Sequence, residues 1–146
     1  MRKYSIIVII TLLLSFGICP TAFAAGDSNS KVLNAVAKTD VKIEKMIEIA
    51  IEKGDGMLIE FQSDYEKLMS SEQDIAVIDT KIITLKANFE NNLDKLINNL
   101  IESINSKTSK MIIGAEKNGV LVESSYVEVT IANRIILVDP LRVRSN

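Results

Sequence analysis

The stretch IAVIDTKIITLKANFENNLDKLINNLIESI, residues 75–104, decides the fold. Ile75, Ile78, Ile82, Leu85, Phe89, Leu93, Leu96, Leu100 and Ile104 recur at spacings of three and four, which places them along one side of an α-helix. Ile97 and Ile101 widen the stripe, and Asn88, Asn91, Asn98, Asn99, Glu102 and Asn105 cover the opposite side. The pattern predicts a helix over residues 74–110, on the order of 55 Å long. A helix of that length in a chain of 146 residues needs a partner along most of it. The stripe has the width of a bundle face rather than a strict coiled-coil seam, so the preceding segment is expected to fold back on it. A second copy of the chain is the other way to cover it.

Upstream, Leu33, Val36, Ile43, Ile47, Ala50 and Ile51 predict a helix over 31–53. Lys53-Gly54 reads as its stop and Gly54-Asp55-Gly56 as a turn. Met57, Phe61, Tyr65 and Leu68 predict a second helix over 57–69. Phe61, Tyr65 and Phe89 read as core residues. The polar stretch 70–74 is either a break, with Ser71 and Asp74 as a capping box, or part of a continuous helix.

Downstream of residue 111 the apolar period changes from 3.6 to 2. Asn118-Gly119 is a hairpin signal. Runs at 120–122, 126–131 and 134–138 are rich in β-branched residues, with Ala132-Asn133 as a two-residue turn between the last two. Asp139-Pro140 ends the sheet, with Leu141 and Val143 as a short edge strand. The expected fold is therefore α+β. Residues 31–112 form a helical hairpin or a three-helix bundle with a long third helix, and 113–146 form a small antiparallel β-meander packed on the helices.

Residues 1–24 read as a signal peptide. Arg2 and Lys3 precede an apolar run from Ile6 to Ile18, which is shorter than the roughly 20 residues a membrane span needs. Ala22-Phe23-Ala24 carries small residues where a bacterial signal peptidase reads them, so cleavage is expected after Ala24, with 25–30 as a flexible start. An uncleaved anchor is one alternative and lipidation at Cys19 another, although Ile18 and Pro20 are unusual neighbours for a lipid acceptor. The expected destination is outside the cytoplasm, secreted or associated with the envelope. The membrane is then met only through the signal during export.

Composition narrows the function. The chain has no His, no Trp and one Cys, which removes the commonest general base and most transition-metal sites. Without Arg2 and Lys3 there remain 15 basic and 19 acidic residues, a net charge of −4, which disfavours nucleic acid. Asp40, Glu44, Glu48 and Glu52 form an i,i+4 acidic row, read as a solvated face because a calcium site needs oxygens converging from a loop. Glu60 with Asp64, and Glu90 with Asp94, stand one turn apart. Neither pair shows the apolar setting that an acid–base pair requires. Ser106, Lys107, Ser109 and Lys110 offer a Ser–Lys combination that nothing marks as buried. No cofactor or metal is expected.

The remaining candidate is a recognition patch of Tyr126, Arg134, Arg142 and Arg144, an aromatic surface with planar donors. These charges also serve to protect sheet edges. The functional expectation is an exported, non-catalytic binding or structural module. Recognition is assigned to the C-terminal sheet, and the helices serve as scaffold or self-association surface. Its partner is a protein or envelope component, or a second copy. Two rival readings are a membrane-active secreted peptide and a small extracellular enzyme using carboxylates.

Overall fold

A computed structural model describes residues 27–143 of the chain, and side chains from 29 to 141. The expected signal peptide, residues 1–24, and Arg144 lie outside the described residues. The protein is a mostly helical α+β fold. Helix α1 (Asp27–Met69) and helix α2 (Ile75–Glu116) form an antiparallel hairpin, followed by strands β1 (Val122–Ser124), β2 (Val127–Ile131), β3 (Arg134–Val138) and β4 (Leu141–Val143). At 43 and 42 residues the two helices are each about 65 Å long.

The helix count is two, because Gly54-Asp55-Gly56 does not end α1. Two glycines inside a helix cost about 2 kcal/mol relative to alanine. Packing offsets that cost: Gly54 is buried, and a β-carbon there would overlap the Cγ2 of Ile131 and touch Leu93. Burying an isoleucine side chain contributes about 1.5–3 kcal/mol, and Ile131 is fully buried. The glycine that looked like a stop is thus the place where the sheet lies against the helix. α1 also takes in residues 27–30, which sequence reads as a flexible start.

The break at 70–74 is real. Asp74 is the N-cap of α2, its carboxylate accepting the Ala76 N–H at 3.0 Å. Ser71 instead turns back to α1 and donates to the Leu68 carbonyl at 2.7 Å. At the other end, α2 continues past 110 to Glu116. Asn118-Gly119 belongs to its cap rather than to a hairpin. Gly119 has φ +72°, its N–H donates to the Glu116 carbonyl, and the Val120 N–H donates to Ala115. That is the Schellman pattern, and Ala115 and Val120 are both buried in the core.

The C-terminal part is a ribbon of two paired segments, not a three-stranded meander. β2 pairs with β3, Ile131 opposite Arg134 and Val127 opposite Val138, while β1 pairs with β4, Val122 opposite Val143. Both ladders keep one register across the gap, where the Ser125 N–H donates to the Pro140 carbonyl at 3.3 Å. Pro140 has no N–H to return, so the ladder is interrupted there. The interruption also changes which side chains face inward. Val122 and Val129 are both buried although they are an odd number of residues apart, and so are Val138 and Leu141. A ladder of strict alternation would put the members of each pair on opposite faces. Ala132 and Asn133, with φ +48° and +64°, form the expected two-residue turn, of type I′.

The ribbon fills the groove between the helices over half their length. Val36, Ile43, Ala50, Leu93, Ile97, Leu100 and Ile104 form the helical side of the core, and Val122, Val129, Ile131, Val138 and Leu141 the ribbon side. Among the described residues, none from 55 to 92 is buried. That outer half of the hairpin is joined by half-buried residues, with Phe61 stacked on Phe89 at 4.8 Å between ring centroids.

Candidate functional site

Of the expected recognition patch, the side chains of Tyr126 and Arg134 lie within the described residues, and they stand apart; Arg144 and the Arg142 side chain lie outside them. Arg134 starts β3 beside the ribbon tip and is half-buried. Its guanidinium pairs with both Glu90 and Asp94 on α2, which are one turn apart. This pair of carboxylates is a clamp for the ribbon tip. Tyr126 lies at the opposite end of β2, five residues from Ile131, so about 17 Å of strand separates the two sites. Arg142 stands opposite Glu123 at the ribbon base.

Tyr126 is 74% exposed and lines a cleft of about 440 Å³ between the ribbon and α2. Apolar walls come from Tyr126 and Leu137 on the ribbon and from Ile101 and Ile112 on α2. The polar lining is Asn105, Thr108, Ser109, Ser124 and Asp139. Two bonds fix its floor. The Thr108 hydroxyl donates to the Asp139 carbonyl at 2.9 Å, and the Ser124 hydroxyl donates to the Asp139 carboxylate at 2.9 Å. Thr108 is 3% exposed, the one buried polar side chain in the core among the described residues. Asp139 thus ties the interruption in the ribbon to α2 and leaves a carboxyl group in the cleft wall. The Ser125 hydroxyl, between two residues of this wall, is buried without a hydrogen-bond partner.

The cleft escaped the sequence because its members belong to separate patterns. Thr108 continues the α2 stripe four residues after Ile104, and Asp139-Pro140 reads as the end of the sheet. One signal was present. Ile135-Ile136-Leu137 is apolar without alternation, as expected of a strand with apolar side chains on both faces. Ile135 is 70% exposed and Leu137 54%.

The other candidates stay apart from this cleft, except for Ser109. Ser106, Lys107 and Lys110 are exposed. Asp64 is bonded to Lys67 at 2.8 Å, and that bond raises the Lys67 pKa. In the acidic row of α1, burial together with Asp40 and Glu48 pushes the Glu44 carboxyl above its ordinary pKa of 4.5. Among the described residues no group of three or more acidic or cysteine side chains is placed to hold a metal ion, and no helix is long and apolar enough to cross a membrane. No protein-family model matches the chain, and no curated protein or solved structure matches it either.

Proposed function

We propose that this chain is an exported, non-catalytic binding module that recognises its partner at the cleft between the ribbon and α2. The observation that carries this reading is the cleft itself. Its lining is shared between apolar and polar side chains, three of the polar ones, Thr108, Ser124 and Asp139, are fixed by hydrogen bonds to one another, and Tyr126 and Leu137 leave much apolar surface exposed at its rim, a mixture that suits recognition. The helices act as the scaffold that holds α2 and the ribbon at a fixed spacing. Chemical-shift mapping with a library of small fragments tests it. Binders should perturb Ile101, Thr108, Tyr126 and Leu137, and Tyr126→Ala with Leu137→Ser should abolish those shifts. Perturbations confined to other surfaces would overturn the assignment. Export is supported by the basic start, apolar run and Ala-x-Ala pattern of residues 1–24. An intact mass from the culture medium that begins at Ala25 or Gly26 is the expected result, and full-length mass in the cell fraction would refute it.

A second reading concerns the helices. The outer half of the hairpin has no buried residue, yet Ile59, Met69, Ile75, Val77 and Ile83 are exposed there. That surface favours self-association, in which a second hairpin would cover the seam as in a four-helix bundle.

A further inference from the structure

Resting on the cleft as the recognition surface, we propose that its occupant is an extended peptide, added as a strand along the free edge of β3. The type I′ turn fixes which cross-strand pairs are hydrogen-bonded. With a two-residue loop at Ala132-Asn133, Ile131 and Arg134 are a bonded pair, and bonding then alternates along the ladder. Val129 with Ile136 and Val127 with Val138 are bonded pairs, while Thr130 with Ile135 and Glu128 with Leu137 are not. The bond from Ser125 to Pro140 falls in the same phase. A residue of a non-bonded pair turns its N–H and C=O away from its partner strand. Ile135 and Leu137 therefore present two donors and two acceptors, about 7 Å apart along the edge, which is the repeat of an extended chain.

Within the strand itself the edge lacks the usual protections. Residues 134–138 contain no Pro and no Lys, and their one charge, Arg134, is held by Glu90 and Asp94. The other edge differs, since β2 presents Glu128 and Thr130 at the corresponding positions and packs beside α1. A strand laid on β3 would cover Leu137 and Ile135 from the side and rest on Ile101 and Ile112 of α2. The ionisable group lining the cleft is Asp139, so the chemistry that fits is an extended peptide of alternating apolar residues with a Lys or Arg toward Asp139. A second copy of the chain fits less well. Its own α2 flanks its β3, and a helix about 10 Å across does not fit in about 440 Å³ beside this one.

Selection of random peptides by display against the full chain, followed by amide hydrogen exchange, tests the proposal. In the free protein Ile135 and Leu137 should exchange faster than Ile136 and Val138. Enriched peptides should alternate apolar and polar residues, include Lys or Arg, and slow the Ile135 and Leu137 amides by about tenfold or more. N-methylation at Leu137 removes one outward donor without touching a ladder bond, and should weaken binding about tenfold. Peptides that need Tyr126 but leave the Ile135 and Leu137 amides unprotected would overturn strand addition while keeping the cleft as the recognition surface. Failure to enrich any peptide would also overturn it, with the fragment map then judging the cleft alone. Protection of these two amides by concentration in the free chain would replace the peptide with a second copy.

Discussion

The space where Gly54 lacks a β-carbon is filled by the Cγ2 methyl of Ile131, 77 residues further along the chain. Beside it the Asp55 carboxylate accepts the N–H of Ala132 at 3.0 Å. Helix α1 and the ribbon tip are therefore joined at one short stretch, by a close approach and a hydrogen bond. Gly56, in the same helix, has open space where its β-carbon would be. Two substitutions of one type should then have opposite effects. Gly54→Ala should destabilise by about 1–3 kcal/mol, since Ile131 is buried on all sides and cannot yield. Gly56→Ala should stabilise by about 0.5–1 kcal/mol through helix propensity. Urea unfolding of both variants measures this, and equal signs would show that Gly54 is not the docking point.

Arg134 holds the ribbon tip on the other helix. Its partners Glu90 and Asp94 are substantially exposed, at 40% and 57% of their side chains, so solvent screens the attraction. Arg134→Ala should cost about 1 kcal/mol at low salt and less at high salt. Arg134→Lys should recover only part, because one ammonium cannot bridge two carboxylates as the planar guanidinium does. A double-mutant cycle with Asp94→Asn reads the coupling directly. If the effect of Arg134→Ala does not depend on Asp94 or on salt, the clamp makes no electrostatic contribution.

These two contacts also show what was legible in the sequence. The period of three and four from Ile75 to Ile104 gave the long helix, and the β-branched runs with Ala132-Asn133 gave the β2–β3 hairpin. Local rules failed where a distant residue decided the outcome. Glycine after Lys53 is a sound stop signal, but Ile131 requires a glycine inside the helix at that point. Asn118-Gly119 satisfies hairpin and helix-cap rules equally, and it becomes a cap where Val120 is drawn into the core beside the end of α2, its N–H bonded to the Ala115 carbonyl. Of the candidate recognition residues, two can be placed. Tyr126 is exposed as its position suggested, whereas Arg134 is engaged by carboxylates 40 or more residues away that no local pattern links to it.

The acidic row on α1 gives a pH dependence. Burial and the charges of Asp40 and Glu48 raise the Glu44 pKa, so the ionised form of Glu44 opposes folding. Between the ordinary value of 4.5 and the raised value, the folded state binds more protons than the unfolded state. This contribution to stability falls as pH rises through that window, and the penalty is fully present above it. Glu44→Gln should therefore stabilise at neutral pH by no more than about 0.5 kcal/mol, since the group is largely solvated. The gain should fade as pH drops below 4.5. Thermal unfolding of both chains across that range checks the sign, and a gain that grows toward acid would refute it.

The outer half of the hairpin should be where copies meet. Ile83 is 70% exposed, and this half of the seam lacks the ribbon that covers the inner half. A surface of this kind is stable in water when it is small, and becomes an interface when it is contiguous. Sedimentation equilibrium of the chain from residue 25 onward should show a species heavier than the monomer as concentration rises. Ile83→Glu should return the chain to monomer with unchanged helicity, because Ile83 makes little contact within its own copy. Leu137→Glu should leave the association intact, since it lies on the ribbon beside the cleft. A wild-type chain that stays monomeric would confine the helices to the role of scaffold. Dissociation by Leu137→Glu, but not by Ile83→Glu, would move the contact between copies onto β3.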